Sequence, residues 1–204
     1  MDFQKIDLQK EINDLKNLSG EERGEDIKYL VSYIRRNKGE EGFKKVKEEL
    51  MKAGYDLPEI DQINNMEWIS VSLPNIFLVA CVKVFNLEKE DILKIGREAL
   101  SFKKIFKFYI KYFSSFKETM AKASNTWNKH YSFGEIEIIE HDDEKKMLVI
   151  KLKDFKVHKF AYIYLQGLFS EIVRVALGNK EVRSERTKDT SNGDFCYKYI
   201  FKWN

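Results

Sequence analysis

An α+β fold, with a helical N-terminal part followed by a β-β-α-β-β antiparallel sheet layer, is what the sequence predicts. A change of rhythm along the chain carries the prediction. From Leu8 to about His130, apolar residues recur every three or four positions, the spacing of one helical face. After Tyr131 the period drops to two. FGEIEIIEH at 133–141 and KKMLVIKLKDF at 145–155 alternate apolar with charged residues, as a hairpin with one buried face does. A helical stretch and two more strand patterns complete the tail.

The elements follow in order. Leu8, Ile12 and Leu15 mark a first helix that ends near Leu18-Ser19-Gly20, an arm covering residues 1–20. The charged stretch Gly20–Gly24 reads as a loop. Ile27, Leu30, Val31 and Ile34 mark a second helix, closed by Asn37-Lys38-Gly39; Phe43, Val46 and Leu50 mark a third, ending at Ala53-Gly54. Pro74 suits the first turn of a helix carrying Phe77, Leu78, Cys81, Val82 and Phe85. Asn86 to Leu100 gives another, with Ile92, Ile95 and Ala99 inward, and Phe102 to His130 one or two more. In the tail, Asp142-Asp143-Glu144 joins the hairpin strands. Lys159 to Leu177 is helical and capped by Gly178-Asn179. Glu181–Thr187 and Cys196–Trp203 are the last two strands. The simplest arrangement is a four-stranded antiparallel sheet covered by a helix. Without a repeat or a Pro- or Ser-rich linker, residues 1–204 read as one domain, with a helical part at 25–130 and a ββαββ part at 133–203.

Composition narrows the class. In 204 residues, 34% are charged and 43% hydrophobic, which excludes a disordered polymer and a membrane protein. The apolar run IFLVACV at 76–82 falls far short of the roughly 20 residues that cross a bilayer. MDFQKIDLQKEIND carries acids and no apolar core of a signal sequence, so a cytoplasmic protein is expected. A net charge of +3 calls for no nucleic-acid partner. Cys81 and Cys196 are too few for a disulfide framework.

Catalytic and metal motifs are missing from the sequence. His130, His141 and His158 stand outside any His-Glu-x-x-His spacing, and Cys-x-x-Cys, G-x-S-x-G, phosphate-loop and dinucleotide-loop patterns do not occur. A non-enzyme with no metal site is therefore expected. His141 falls in the hairpin turn among acids, where it is solvated. His158 precedes a helix and suits a cap or a surface position. His130, flanked by Trp127, Tyr131 and Phe133, is the candidate ligand or pocket histidine.

The stretch SFKKIFKFYIKYFSSF at 101–116 sets Lys103, Lys107 and Lys111 on one helical stripe and Phe102, Phe106, Tyr109 and Phe113 on another. Three readings stay open: a basic amphipathic surface, a core helix with a solvated lysine face, or the lining of an apolar cavity. On the third, the pocket residues are Trp68, Phe77, Phe106, Tyr109, Phe113, Trp127, His130 and Tyr131.

Several segments together carry a resemblance. GEEGFKKV at 39–46, Trp68 before Pro74, EDILKIGREAL at 90–100, Trp127 and Tyr131 before Gly134-Glu135-Ile136, and the closing Gly193, Asp194, Cys196 and Trp203 occur in that order. Over about residues 25–203 the chain resembles an uncharacterised bacterial family related to haem–nitric-oxide-binding (H-NOX) domains and to 4-vinyl-reductase-type domains. The resemblance implies helices followed by a ββαββ tail, and a ligand-binding sensor for a small apolar molecule, often upstream of a signalling protein. It implies a haem or other tetrapyrrole gas sensor as the alternative, with His130 as an unorthodox ligand. The chain departs from the H-NOX pattern in lacking the Tyr-x-Ser-x-Arg motif that holds the haem propionates; its nearest fragment, Arg183-Ser184-Glu185-Arg186, has no tyrosine. It departs from zinc-bearing 4-vinyl-reductase relatives in that Cys196 stands alone, with Lys188 and Asp189 where a partner cysteine would be. No cofactor is therefore expected. A third reading, an assembly module whose first helix docks a partner, comes from the residues alone.

Overall fold

The computed structural model describes residues 5–102, 118, 122–189 and 196–204. The chain divides into two compact units, residues 1–95 with 157–163 and residues 96–156 with 164–204. Each is described by itself.

The first unit is mainly helical. Helix α1 (Leu8–Leu15) starts where the Asp7 carboxylate accepts the Lys10 backbone N–H at 3.1 Å, an N-cap. Its buried stripe is Leu8, Ile12 and Leu15, as the spacing predicts, and it packs on α3. Helix α2 (Glu25–Lys52) covers both helices expected before Gly54. Gly39 breaks it, with φ +72° and ψ 177°. No atom lies within 4 Å of where its Cβ would be, so backbone conformation rather than space calls for glycine there.

The Gly20–Gly24 stretch is not the open loop its charges predict. Glu21–Arg23 forms strand β1, antiparallel to β2 (Trp68–Ser70), with Glu21 opposite Ser70 and Arg23 opposite Trp68. The Arg23 guanidinium lies 3.6 Å from the Trp68 ring centroid. Gly24 comes so close to Asn64 and Ile63 that a Cβ would overlap both. Glu22, Glu25 and Asp26 are buried rather than solvated.

Helix α3 (Ser72–Phe85) has Pro74 in its first turn and is buried on every side from Ser72 to Val82, so it forms the centre of this unit. Asn86, left-handed at φ 49°, ends it. Helix α4 (Lys89–Phe102) follows, and the Tyr29 hydroxyl of α2 donates to its Ile95 carbonyl at 2.6 Å.

The second unit holds helix α5 (Ala123–His130) and a four-stranded antiparallel sheet. Its strands are β3 (Glu135–Asp142), β4 (Met147–Lys153), β5 (Val182–Asp189) and β6 (Cys196–Trp203), in the order β3-β4-β6-β5. All four strands expected from the period-2 segments are present. A bulge between Ile138 and Glu140 shifts the β3 register, so His141 pairs with Leu148 inside the strand rather than lying in the turn. Leu148, Ile150, Tyr199 and Phe201 form a buried row on one face. Helix α6 (Lys159–Ala176) meets that face: Phe169 touches Tyr199, with ring centroids 5.3 Å apart. Gln166 Nε2 donates to Ser184 O at 3.1 Å, and Ser170 Oγ lies 2.9 Å from Ser184 Oγ. These buried polar contacts fix the helix along the edge strand.

Among the described residues, no helix is long and apolar enough to cross a membrane. The Lys103, Lys107 and Lys111 stripe lies outside the described residues.

Candidate functional site

The sequence ASNTWNKH folds as α5 and sets Trp127 and His130 one turn apart, with Tyr131 as the extended residue that ends the helix. The three are 1%, 0% and 3% exposed. Ser124 Oγ donates to Ile136 O at 2.8 Å and fastens the helix to β3. The Trp127 indole N–H is shared between Phe133 O at 3.2 Å and Gly134 O at 3.1 Å. Its polar edge is thus satisfied by the turn that starts the hairpin. At Gly134, φ is +72° and a Cβ would press on the Phe155 ring, so glycine is needed both for conformation and for space.

Aromatic rings surround the indole. Its centroid lies 4.2 Å from Tyr131, 5.0 Å from Phe155 and 6.1 Å from Phe169. Phe133 stacks on Phe155 at 4.5 Å and 9°. The His130 imidazole meets Tyr131 edge-on at 4.6 Å. The cluster is apolar apart from one imidazole, one phenol and the indole N–H, and its rings pack directly on one another.

Of the predicted pocket residues, the structure brings together Trp127, His130 and Tyr131. Trp68 and Phe77 belong to the first unit, where each has its own partner: Arg23 lies over Trp68, and Phe43 lies 6.2 Å from Phe77. Phe106, Tyr109 and Phe113 lie outside the described residues. Sequence reasoning missed Phe155 and Phe169. Phe155 ends a strand pattern and Phe169 sits in a helix, so neither is near Trp127 in the chain.

The other histidines have different surroundings. His141 is exposed, with Nε2 3.2 Å from Asp143 Oδ1, as its acidic neighbours predict. His158 is buried at the start of α6, and its Nδ1 accepts the Phe160 N–H at 3.2 Å, so it is a cap. Cys81 is enclosed in α3, where burial pushes its thiol far up and keeps it protonated and inert.

Among the described residues, no group of three or more His, Cys, Asp or Glu side chains is placed to hold a metal ion. A haem needs an axial donor and partners for its propionates. His130 meets the first need as a buried imidazole on a helix. The second is met less well, because Arg186 carries its guanidinium over the Tyr197 ring at 5.2 Å with no Tyr-x-Ser-x-Arg motif around it.

No family model and no curated protein sequence matches this chain. Solved structures do. The Fe(II) unliganded H-NOX protein from K. algicida superposes with a TM-score of 0.66 at 12% identity, over 89% of this chain and 96% of that one. A variant of Tt H-NOX gives 0.64 at 14% identity, over 89% and 95%. An oxygen-binding H-NOX domain related to soluble guanylate cyclases gives 0.61 at 14%, again over 89% and 95%. The chain has an H-NOX-related α+β fold.

Proposed function

We propose that this chain is a non-enzymatic ligand-binding or sensing domain that takes a small apolar molecule and reports its occupancy to a signalling protein. The observation that carries the reading is the fold likeness to H-NOX domains across 89% of the chain, one of them an oxygen binder. The aromatic surroundings of Trp127 agree with it, because they offer dispersion contacts and few polar groups. Native mass spectrometry of the purified protein is expected to show a mass excess that an organic extraction removes. A bare polypeptide mass under the gentlest conditions, together with no uptake from a panel of apolar ligands, would refute the reading.

A haem-binding gas sensor is the second reading, favoured by the fully buried His130. Neighbours of the same fold were studied for haem distortion. When bound, a haem supplies an iron site for a diatomic gas. The residue that would hold it is His130, through its imidazole, and Tyr131 and Trp127 beside it would keep water away. Hemin titration is expected to raise a Soret band that His130→Ala removes. A protein that stays colourless with hemin would end this reading without touching the first.

A further inference from the structure

The face of the sheet turned away from α6 carries a hollow of about 430 Å³ beside β5 and β6, the size of a small-molecule site. Strand alternation sets what lines it. Tyr199 and Phe201 point into the core, so Ile200 and Lys202 point outward, and the register puts Glu185 opposite Ile200 and Arg183 opposite Lys202. Half-buried Ile200 is the apolar floor, and Glu181 and Lys145 complete the walls.

The charges of this hollow are mostly unmatched. Arg183 and Lys202 face each other directly across neighbouring strands, a placement that destabilises unless an anion lies between them. Glu181 and Glu185 stand two residues before and two residues after Arg183 in the chain. Among the described residues, the exposed side chains of Glu181, Arg183, Glu185 and Lys202 have no ion-pair or hydrogen-bond partner. Lys145 differs, because its Nζ lies 3.0 Å from Asp142 Oδ2. The unpaired charges are therefore two of each sign. A simple anion drawn to Arg183 and Lys202 is repelled by the carboxylates beside them, and a simple cation meets the converse. A zwitterion gains at both ends.

Spacing selects the kind of zwitterion. Arg183 and Glu185 are two residues apart on one strand face, so the pair of cations and the Glu185 carboxylate stand about 6.7 Å apart along the sheet. The ammonium and carboxylate of a free α-amino acid are only about 2.5 Å apart, whereas the two ends of a dipeptide are about 5–7 Å apart. We propose that this hollow binds a dipeptide-sized zwitterion, with its carboxylate between Arg183 and Lys202, its ammonium at Glu185 and an apolar first side chain on Ile200. The site lies across the sheet from Phe169 and is independent of what the aromatic cluster binds.

Proton–nitrogen correlation NMR of the full chain tests this, with leucylglycine as the probe. Saturable shifts are expected at the backbone amides of Arg183, Glu185, Ile200 and Lys202. N-acetyl-leucylglycine lacks the ammonium and leucylglycine amide lacks the carboxylate. Each is expected to bind about three- to fivefold more weakly, the size of one exposed charge pair, and free leucine to be weaker by a similar factor. Arg183→Gln leaves the core untouched and is expected to lose about three- to fivefold for leucylglycine. Glu185→Gln is expected to shrink the difference between leucylglycine and its acetylated form, which ties the ammonium to that carboxylate. The absence of any saturable shift overturns the proposal. So does equal binding of leucine or of either blocked form by the parent, or unchanged binding by Arg183→Gln.

Discussion

Gly96→Ala is expected to destabilise the protein by about 2–3 kcal/mol, although alanine is the better helix former. Gly96 lies inside α4, and an added Cβ there would overlap the Tyr164 carbonyl oxygen and lie 2.9 Å from the Leu168 amide nitrogen. Both are backbone atoms of α6, so no side-chain rotation can make room. The two helices cross with their backbones nearly touching. Helix propensity alone predicts the opposite sign, a gain of about 1 kcal/mol. Thermal unfolding followed by circular dichroism decides between them, with a Tm lower by about 5–10 °C expected for the variant. A variant as stable as the parent, or more so, would mean that the crossing is looser than described.

That glycine shows where sequence reading stops. EDILKIGREAL announces a helix, and Ile92, Ile95 and Ala99 are buried as its period predicts. The reason for glycine at 96 lies in a helix some seventy residues on, and nothing local records it. Helix faces and the sheet strands were legible because periods of 3.6 and 2 persist over many residues. Strands β1 and β2 were not. Three residues show no period, glycines on both sides of β1 imitate a loop, and each strand's pairing partner is remote. Their burial of Glu22, Glu25 and Asp26 hides charges that composition assigns to solvent.

The candidate site was legible in part for the same reason. Trp127, His130 and Tyr131 share one helix end, so local spacing brought them together, whereas Trp68 and Phe77 were grouped by aromatic character alone. Composition reports how many rings there are and not which ones touch. The cap at His158 followed from its place before a helix. Its reach to Asn75, 83 residues away, did not.

Trp127→Ala is expected to be the more damaging of two substitutions at the cluster, at about 3–5 kcal/mol. The indole is 1% exposed and touches Tyr131, Phe155 and Phe169, so removing it leaves a void that those rings fill only partly. Trp127→Phe keeps a ring but loses the N–H that serves Phe133 O and Gly134 O. About 1–2 kcal/mol is expected, the order of a buried hydrogen bond left unmade. The void in the alanine variant is closed, walled by rings and keeps the Phe133 and Gly134 carbonyls that accept an indole N–H, so added indole is expected to raise its Tm while leaving the parent unchanged. If Trp127→Ala unfolds at the same urea concentration as the parent, the indole does not hold the second unit together. Trp127 would then belong to the wall of an open cavity, and indole would stabilise parent and variant alike.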